Sequence, residues 1–443
     1  MSKPIRLQGN IFELEGIPPL RRALPLAVQH VVAMIVGCVT PAIIVSGSAG
    51  LPPEEQVILI QAALVISALS TLLQLFPLFR KLPLGLGSGL PVIMGVSFAY
   101  VPTMQAIAEG YGVAAILGAQ IVGGAVAAVV GLFVKKLRRL FPPLITGTVV
   151  FTIGLSLYPT AINYMAGGAG SANYGSWQNW LVAFFTLIVV TALNHYGKGL
   201  WKLSSILLGI CAGYGLSACF GMVSFDSVGE AAYFQLPQLL HFGVQFEISA
   251  CVAIGILFAI NAVQAIGDLT ATTVGAMDRE PTDRELQNGI VGYGLMNMIG
   301  GLFGGLPTAT YSQNVGIVTT TKVINRVVLG LSAVILGAAG LVPKFSALLT
   351  TIPQCVLGGA TVSVFASIAM TGMKLVSSAR MDYRNSSIVG LAAALGMGIS
   401  QASAALAAFP EWVTTIFGKS PVVVATLVAV LLNVILPKHK PDV

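Results

Sequence analysis

The stretch FGGLPTATYSQN, residues 303–314, interrupts an apolar region with glycine, proline and hydroxyl side chains. A second stretch, GSGLPVIMGVSF at 87–98, shares its Gly-Leu-Pro core, and the two prolines, Pro91 and Pro307, are 216 positions apart. The residue before a proline disfavours the helical conformation, and β-branched and aromatic residues follow both prolines. We therefore predict that each stretch forms a short extended strand followed by a half-helix.

The composition around these stretches is that of a membrane protein. Of 443 residues, 56% are hydrophobic and 9% are charged, and the mean hydropathy is +0.87. Soluble chains have about a quarter charged residues, so we predict an all-α polytopic membrane protein. The five cysteines are scattered through apolar segments without a C-x-x-C pair, so we expect small buried side chains rather than a metal or redox site.

Hydropathy and charge together predict the topology. Apolar runs of about 17 to 25 residues predict twelve ordinary spans, and the interrupted regions 84–106 and 305–322 would add segments 3 and 10. With the N-terminus inside, only Lys344 and Lys419 of the 23 basic residues fall outside. This pattern favours fourteen segments with both termini cytoplasmic, and a net charge of +7 that serves the inner leaflet rather than nucleic acid. Residues 1–22 contain no early apolar region, so we expect no cleaved signal peptide.

A second pair of similar stretches supports an internal repeat. LAVQH at 26–30 and NAVQA at 261–265 lie in the first span of each predicted half. Two halves of seven segments would have inverted topology, because seven is odd. Non-helical backbone inside a membrane survives only where protein covers it or where it lines a cavity. We therefore expect a substrate site near the bilayer midplane, between the two interrupted segments.

Polar side chains in the predicted spans are the candidate site residues. Asp268 is the one acidic residue that we place inside a span, and such a carboxylate marks a functional site by default. Gln264 lies four residues earlier on the same helix face. Gln313 and Asn314 occupy the predicted break of segment 10, where a carboxamide matches the N–H and C=O groups of a planar heterocycle. The alternatives are a structural hydrogen-bond hub for Asp268, a helix–helix contact for Gln264 and a helix cap for Asn314.

Three further residues are weaker candidates. Ser97 and Phe98 occupy the matching break of segment 3, where backbone N–H groups could bind a ligand and the phenyl ring could stack on it. His30 lies in the first span and could instead be a hydrogen-bond fixture. The sequence lacks the phosphate-binding loop, the H-E-x-x-H zinc motif and the G-x-S-x-G nucleophile motif. We therefore predict neither an enzyme nor a cofactor or metal site.

The stretch QNVGIVTTTK, residues 313–322, resembles the signature of the nucleobase–ascorbate transporter family. In that signature, Gln, Glu or Pro is followed by Asn, any residue, Gly, four residues, Thr, and then a basic residue or Gly. AIGDLTATT resembles the eighth span of the family, QHVVAM the first and GSGLPVIMGVSFAYV the third. The resemblance covers most of the chain, and the most similar members are xanthine and uracil permeases.

The resemblance implies a core domain that carries substrate and a gate domain that forms the contacts of a homodimer. The core slides against the gate in an elevator-like motion. The predicted core comprises 24–136 and 246–343 and the gate comprises 137–245 and 344–436, with a cytoplasmic N-terminus at 1–23 and a cytoplasmic tail at 437–443. By position, His30 matches the first-span histidine of the family, Gln313 the residue that bonds the base, Asn314 the motif asparagine and Phe98 the ring beside the base.

Two positions depart from the family pattern. Gln264 stands where the family usually has a glutamate that bonds the base and is tied to proton coupling, and Tyr293 stands where xanthine-type members often have an aspartate. With both acids absent, we hypothesise that Asp268 takes the coupled proton. An amide at 264 donates as well as accepts, which suits an oxopurine or an anionic base such as urate.

Together, the predicted spans, the candidate residues and the resemblance indicate a membrane transporter. We expect a secondary active, proton-coupled transporter that imports a purine-type base, with xanthine or urate favoured, across the plasma (inner) membrane. Uracil or another nucleobase is an alternative substrate. An anion exchanger for sulfate or bicarbonate with the same fold is an alternative class, as is a membrane receptor that binds without transport.

Overall fold

The computed structural model describes residues 10–79, 85–134, 142–410 and 413–437. Part of the positive-inside pattern lies outside these ranges, including the basic residues at 80–81, 135–139 and 438–440. Residues 1–9, the predicted boundary at 136/137 and residues 438–443 of the predicted tail also lie outside them.

Helices dominate the first half of the chain, and one short strand interrupts them. The elements are α1 Leu20–Ser48, α2 Pro53–Leu75, β1 Met94–Val96, a 3₁₀ turn at Phe98–Tyr100, α3 Val101–Tyr111, α4 Val113–Leu132, α5 Pro143–Ser156, α6 Tyr158–Met165, α7 Trp177–Tyr196, α8 Leu200–Leu203, α9 Ser205–Cys219 and α10 Asp226–Glu230.

The second half also combines long helices with one short strand. Its elements are α11 Ile248–Met277, α12 Asp283–Leu302, β2 Thr308–Thr310, α13 Ser312–Thr321, α14 Arg326–Gly340, α15 Pro343–Thr350, α16 Gln354–Ser377, α17 Tyr383–Gln401, a 3₁₀ turn at Ser403–Leu406, a π-helical turn at Thr414–Gly418 and α18 Pro421–Ile435.

Length and hydropathy show which helices can cross a bilayer. Within the described ranges, seven helical stretches are long and apolar enough, and α14 with α15, bent by 79°, would make an eighth. Further apolar helices of 10–17 residues include α9 and α18. The chain is therefore a mostly helical, multi-pass membrane protein.

The two quoted stretches meet as an antiparallel pair of strands. Met94 pairs with Thr310, and Val96 pairs with Thr308. Two backbone bonds extend the ladder, from the N–H of Tyr311 to the carbonyl of Ile93 (2.9 Å) and from the N–H of Ser97 to that of Pro307 (3.0 Å). The strands satisfy each other's backbone groups, so non-helical chain can lie in the interior of the helical bundle.

Side chains from neighbouring helices hold the strands in place. Thr71 of α2 accepts the N–H of Met94 at its Oγ1 (2.9 Å). Asn297 of α12 accepts the N–H of Thr308 at Oδ1 (2.8 Å) and donates from Nδ2 to the carbonyls of Tyr293 (2.9 Å) and Thr308 (3.2 Å). Each strand is thereby fixed to a helix of its own half of the chain.

A glycine in β1 makes room for an aromatic side chain from the other half. A Cβ atom at Gly95 would lie 2.4 Å from Cε2 of Tyr311 and 2.8 Å from Sγ of Cys38. The Tyr311 ring crosses β1 at this point, and its hydroxyl donates to the carbonyl of Val96 (2.7 Å). Any larger residue at Gly95 would displace this ring.

Candidate functional site

A cavity of about 100 Å³ lies where the two breaks face α5 and α16. Its walls combine the breaks of both halves, one residue each of α1 and α11, and an apolar wall from α5 and α16. The lining residues are Gly37, Ser97, Phe98, Ala99, Val150, Ile153, Gln264, Thr310, Tyr311, Ser312, Gln313, Val364 and Ile368. Of the predicted site residues, the structure brings four to this cavity: Gln264, Gln313, Ser97 and Phe98.

The two glutamines bring uncommitted amide groups to the cavity. Gln264 projects from the middle of the 30-residue helix α11, and Gln313 lies in the first turn of α13. Gln264 is half-buried and Gln313 is exposed. No hydrogen bond of either side chain is found within the described parts of the chain. Each amide can therefore offer one acceptor and two donors to a ligand.

Ser97 and Phe98 form the part of the wall that belongs to the first half. The Ser97 Oγ accepts the N–H of Ala99 (3.3 Å), and its own N–H is donated to Pro307 (3.0 Å). The N–H of Ser97 is therefore already used by the ladder and is not a free donor for a ligand. The Phe98 ring meets Phe365 of α16 edge to face, with centroids 5.2 Å apart.

Asp268 lies behind the cavity wall rather than in it. Its carboxylate accepts two hydroxyl groups, from Thr310 Oγ1 to Oδ2 (2.5 Å) and from Ser312 Oγ to Oδ1 (2.8 Å). Both donors line the cavity. Asp268 therefore fixes the junction of β2 and α13 to α11, and it is separated from the cavity by the side chains of Thr310 and Ser312.

His30 and Asn314 meet each other away from the cavity lining. Nδ2 of Asn314 contacts Nδ1 of His30 (3.1 Å) and donates to the His30 carbonyl (3.3 Å), and both side chains are buried. This pair attaches α13 to α1. Their predicted direct contact with a ligand stays a prediction, because neither residue lines this cavity.

Tyr293 lies at the position where the family resemblance implies an acid in xanthine-type members. Its hydroxyl lies 2.6 Å from that of Tyr100, and its ring packs against Phe258 with centroids 5.6 Å apart. All three rings are buried. The position is thus part of an aromatic cluster beside α11, and it has no carboxylate to offer.

Two groups of residues at the candidate site were not predicted from the sequence. Thr310 and Ser312, which bond Asp268, are two positions apart in extended chain and therefore face the same side. That alternation was a usable signal. The sequence contains no signal for the apolar wall, which is formed by Val150, Ile153, Val364 and Ile368. Aliphatic residues on a membrane helix do not show whether they face lipid, protein or a cavity.

The arrangement suits a small, flat, polar molecule. The two breaks and α11 supply amide and hydroxyl groups and a phenyl ring to the lining, and α5 and α16 supply aliphatic side chains. Within the described ranges, no cluster of His, Cys, Asp or Glu could hold a metal ion. The cavity lining offers hydrogen bonds and apolar contact, but no charged side chain.

Comparison with known proteins gives the family. The profile of the Xan_ur_permease family, described as a permease family, matches residues 21–405. The chain belongs to this family. This finding confirms the resemblance to nucleobase–ascorbate transporters, and it means that the chain is a permease and not an enzyme.

Individual members of this permease family match over nearly their whole length. The uric acid permease PucJ of Bacillus subtilis is 37% identical over 420 residues, 93% of this chain and 92% of that protein. The xanthine permease XanQ of Escherichia coli is 32% identical over 444 aligned positions, 96% of this chain and 94% of that protein.

A solved structure shares the fold of this permease. The transmembrane domain of the cyanobacterial bicarbonate transporter BicA matches with a TM-score of 0.59 over 93% of this chain and 98% of that domain. The sequence identity is 15%, so the likeness concerns the fold alone.

Proposed function

We propose that this permease imports a purine nucleobase, xanthine or urate, across the plasma membrane. The observation that carries the proposal is the convergence of Gln264 and Gln313 on one cavity beside Phe98, with both amides uncommitted. Two amides give a flat heterocycle paired donors and acceptors, and an unpaired polar group on the wrong ligand would be costly. The names of the relatives PucJ and XanQ support the purine class.

The register of the strand pair supports fourteen segments in two inverted halves. The two prolines align at an offset of 216, and at that offset Met94 corresponds to Thr310. These two residues are partners in the ladder. A pair of equivalent residues that face each other in antiparallel strands is what a two-fold axis in the membrane plane produces. Segments 3 and 10 would then be β1 with α3 and β2 with α13.

The two walls of the cavity support an elevator-type movement. The polar groups come from the predicted core domain, 24–136 and 246–343, and the aliphatic wall comes from the predicted gate domain, 137–245 and 344–436. A ligand held by the core could slide along Val150 and Val364 without breaking a hydrogen bond. Proton coupling through Asp268, cytoplasmic termini and a homodimer formed by the gate complete the proposal.

Transport of a small inorganic anion is the second candidate, favoured by the fold shared with BicA. The lining of the cavity opposes it, because it contains no basic side chain and a carboxylate lies directly behind Thr310 and Ser312. These features fit a heterocycle with N–H groups better than bicarbonate or sulfate.

Uptake into proteoliposomes tests the proposal. Wild-type protein should accumulate labelled xanthine or urate, and unlabelled purines but not sulfate or bicarbonate should compete. Gln264→Leu and Gln313→Leu should each lower uptake about tenfold or more, the cost of one lost hydrogen bond to a ligand with its partner left unpaired. Gln56→Leu is the matched control, because the Gln56 amide bonds the Leu51 carbonyl (2.8 Å) outside the cavity. Competition by sulfate and not by purines would reverse the assignment.

A further inference from the structure

Two hydroxyl groups separate the Asp268 carboxylate from the cavity. Thr310 and Ser312 donate to opposite oxygens of Asp268, and both also line the cavity. A hydroxyl has one proton to donate and two lone pairs that accept. The direction of these two protons therefore decides whether each hydroxyl presents a donor or an acceptor to a ligand in the cavity.

We propose that Asp268 sets the hydrogen-bonding polarity of Thr310 and Ser312 toward the ligand. When the carboxylate is ionised, both hydroxyl protons point at it, and both oxygens face the cavity as acceptors. When Asp268 carries a proton, its O–H donates to one of these oxygens, and that hydroxyl turns its own proton into the cavity. One proton gained by the carboxyl group thus becomes one donor gained by the site.

This polarity determines which charge state of a purine is accepted together with a proton. A neutral base offers N–H groups, which suit the acceptors presented by the ionised site. A monoanionic base such as urate offers a deprotonated nitrogen or an oxygen, which needs a donor. The inference rests on the proposed function. It adds that Thr310 and Ser312 touch the ligand. It also adds that an anionic base enters together with one proton, so that the base and the proton carry no net charge between them.

Charged groups on the surrounding elements do not pair with Asp268. Within the described ranges, each salt bridge found involves other residues. Lys322, at the end of α13, bonds the carbonyl of Gly275 and the carboxylate of Asp278. His30 on α1 contacts Asn314. The described helices α4, α5 and α18 have no charged side chain at all.

The remaining titratable groups on the elements around α11 do not bond the Asp268 carboxylate either. Tyr311 donates to Val96, and Tyr100 and Tyr293 bond each other. The others on elements packed against α11 are Glu109 and Tyr111 of α3, Asp283, Arg284 and Glu285 of α12, and Lys419 beside the π-helical turn; Glu285 bonds Arg279. The hydroxyls of Thr310 and Ser312 are the side-chain partners of the Asp268 carboxylate in the described structure.

The test measures urate binding against pH in purified, full-length protein. Radiolabelled urate is used between about pH 6 and pH 8, where it stays a monoanion, and hypoxanthine serves as a base that stays neutral. One-proton linkage predicts that the wild-type Kd for urate rises by up to about tenfold per pH unit, while the Kd for hypoxanthine does not rise. Asp268→Asn, whose amide keeps a donor nitrogen and an acceptor oxygen at every pH, should bind urate with a pH-independent Kd.

Substitutions of the hydroxyls separate this mechanism from a purely structural Asp268. Thr310→Val with Ser312→Ala keeps the carboxylate but removes both hydroxyls, so the pH dependence of urate binding should disappear. Thr272→Val is the matched control, because the Thr272 hydroxyl bonds the backbone carbonyl of Asp268 (2.8 Å) and not its carboxylate. It should keep the wild-type slope.

The possible results distinguish the role of the hydroxyls, the inference as a whole and the proposed function. A double variant that binds urate with the wild-type slope overturns the role of the hydroxyls, and so does an Asp268→Asn protein that keeps the slope. A wild-type protein that binds urate with no slope overturns the inference and leaves the proposed function in place. A wild-type protein that binds neither base overturns both.

Discussion

Gln264 presents an amide at the position where the family resemblance implies a carboxylate. The side chain is half-buried at the cavity, and a full helical turn separates it from Asp268 behind the wall. An amide can donate to a ligand oxygen or a deprotonated nitrogen, and a carboxylate can only accept. This one residue therefore bears directly on whether the site tolerates an anionic base.

Gln264→Glu should weaken binding of urate relative to neutral xanthine. The added carboxylate would face the anion, and like charges placed together cost several kcal/mol, so the ratio of the two dissociation constants should change about tenfold or more. Binding of both bases is measured by displacement of a labelled ligand at a pH where xanthine is neutral and urate is charged. A gain in urate affinity would refute the hypothesis, and Gln56→Glu, outside the cavity, should leave the ratio unchanged.

Among the elements, the two short strands carry most of the site. They place Ser97 and Phe98 after β1, and Ser312 and Gln313 after β2, at opposite ends of one short antiparallel ladder. Three residues per strand make too little ladder to be stable alone. Their position depends on neighbouring helices, above all on Asn297, whose amide makes bonds of 2.8, 2.9 and 3.2 Å.

Asn297→Ala should destabilise the protein and the site together. It leaves the buried N–H of Thr308 without its acceptor, and one buried unsatisfied group costs about 1–3 kcal/mol. The expected result is a lower melting temperature in detergent and weaker base binding. Asn288→Ala on the same helix removes a single bond, from the N–H of Gly85 (3.1 Å), and should have the smaller effect on both. Equal effects would show that Asn297 does not fix β2.

Local sequence signals predicted the strands but could not predict their partners. Pro91 and Pro307, followed by β-branched and aromatic residues, indicate extended chain from composition alone. That β1 pairs with β2, with Tyr311 crossing at Gly95, depends on contacts between residues more than 200 positions apart. A single sequence contains no measure of such contacts.

The same limit applies to the site residues. Gln264 and Gln313 could be chosen as candidates because an amide in an apolar segment is unusual, and both line one cavity in the structure. Val150 and Val364 could not be identified, because burial of an aliphatic side chain in a membrane protein is the ordinary case. Polar side chains of a membrane site can be predicted from the sequence, whereas the residues of its apolar wall are known only from the packing of the helices.

At the scale of the whole molecule, the predicted core and the predicted gate line the cavity with different chemistry. The predicted core supplies the polar groups and the predicted gate supplies an aliphatic wall. Hydrogen bonds between described residues join the predicted core to the predicted gate. One of them links Oγ1 of Thr103 in α3 to Oγ of Ser420 before α18 (2.8 Å), and both residues are buried. A sliding movement of the core must break this bond.

A disulfide at that contact should therefore stop transport. Thr103→Cys with Ser420→Cys places two thiols where the hydroxyl oxygens now lie 2.8 Å apart, within reach of a disulfide after a small adjustment. Oxidised protein should lose purine uptake in proteoliposomes and recover it on reduction, while still binding the base in detergent. The single variants, treated with the same oxidant, control for the five native cysteines. Undiminished uptake by fully cross-linked protein would exclude movement of the core past the gate at this contact, because the covalent bond holds α3 beside α18 throughout the cycle.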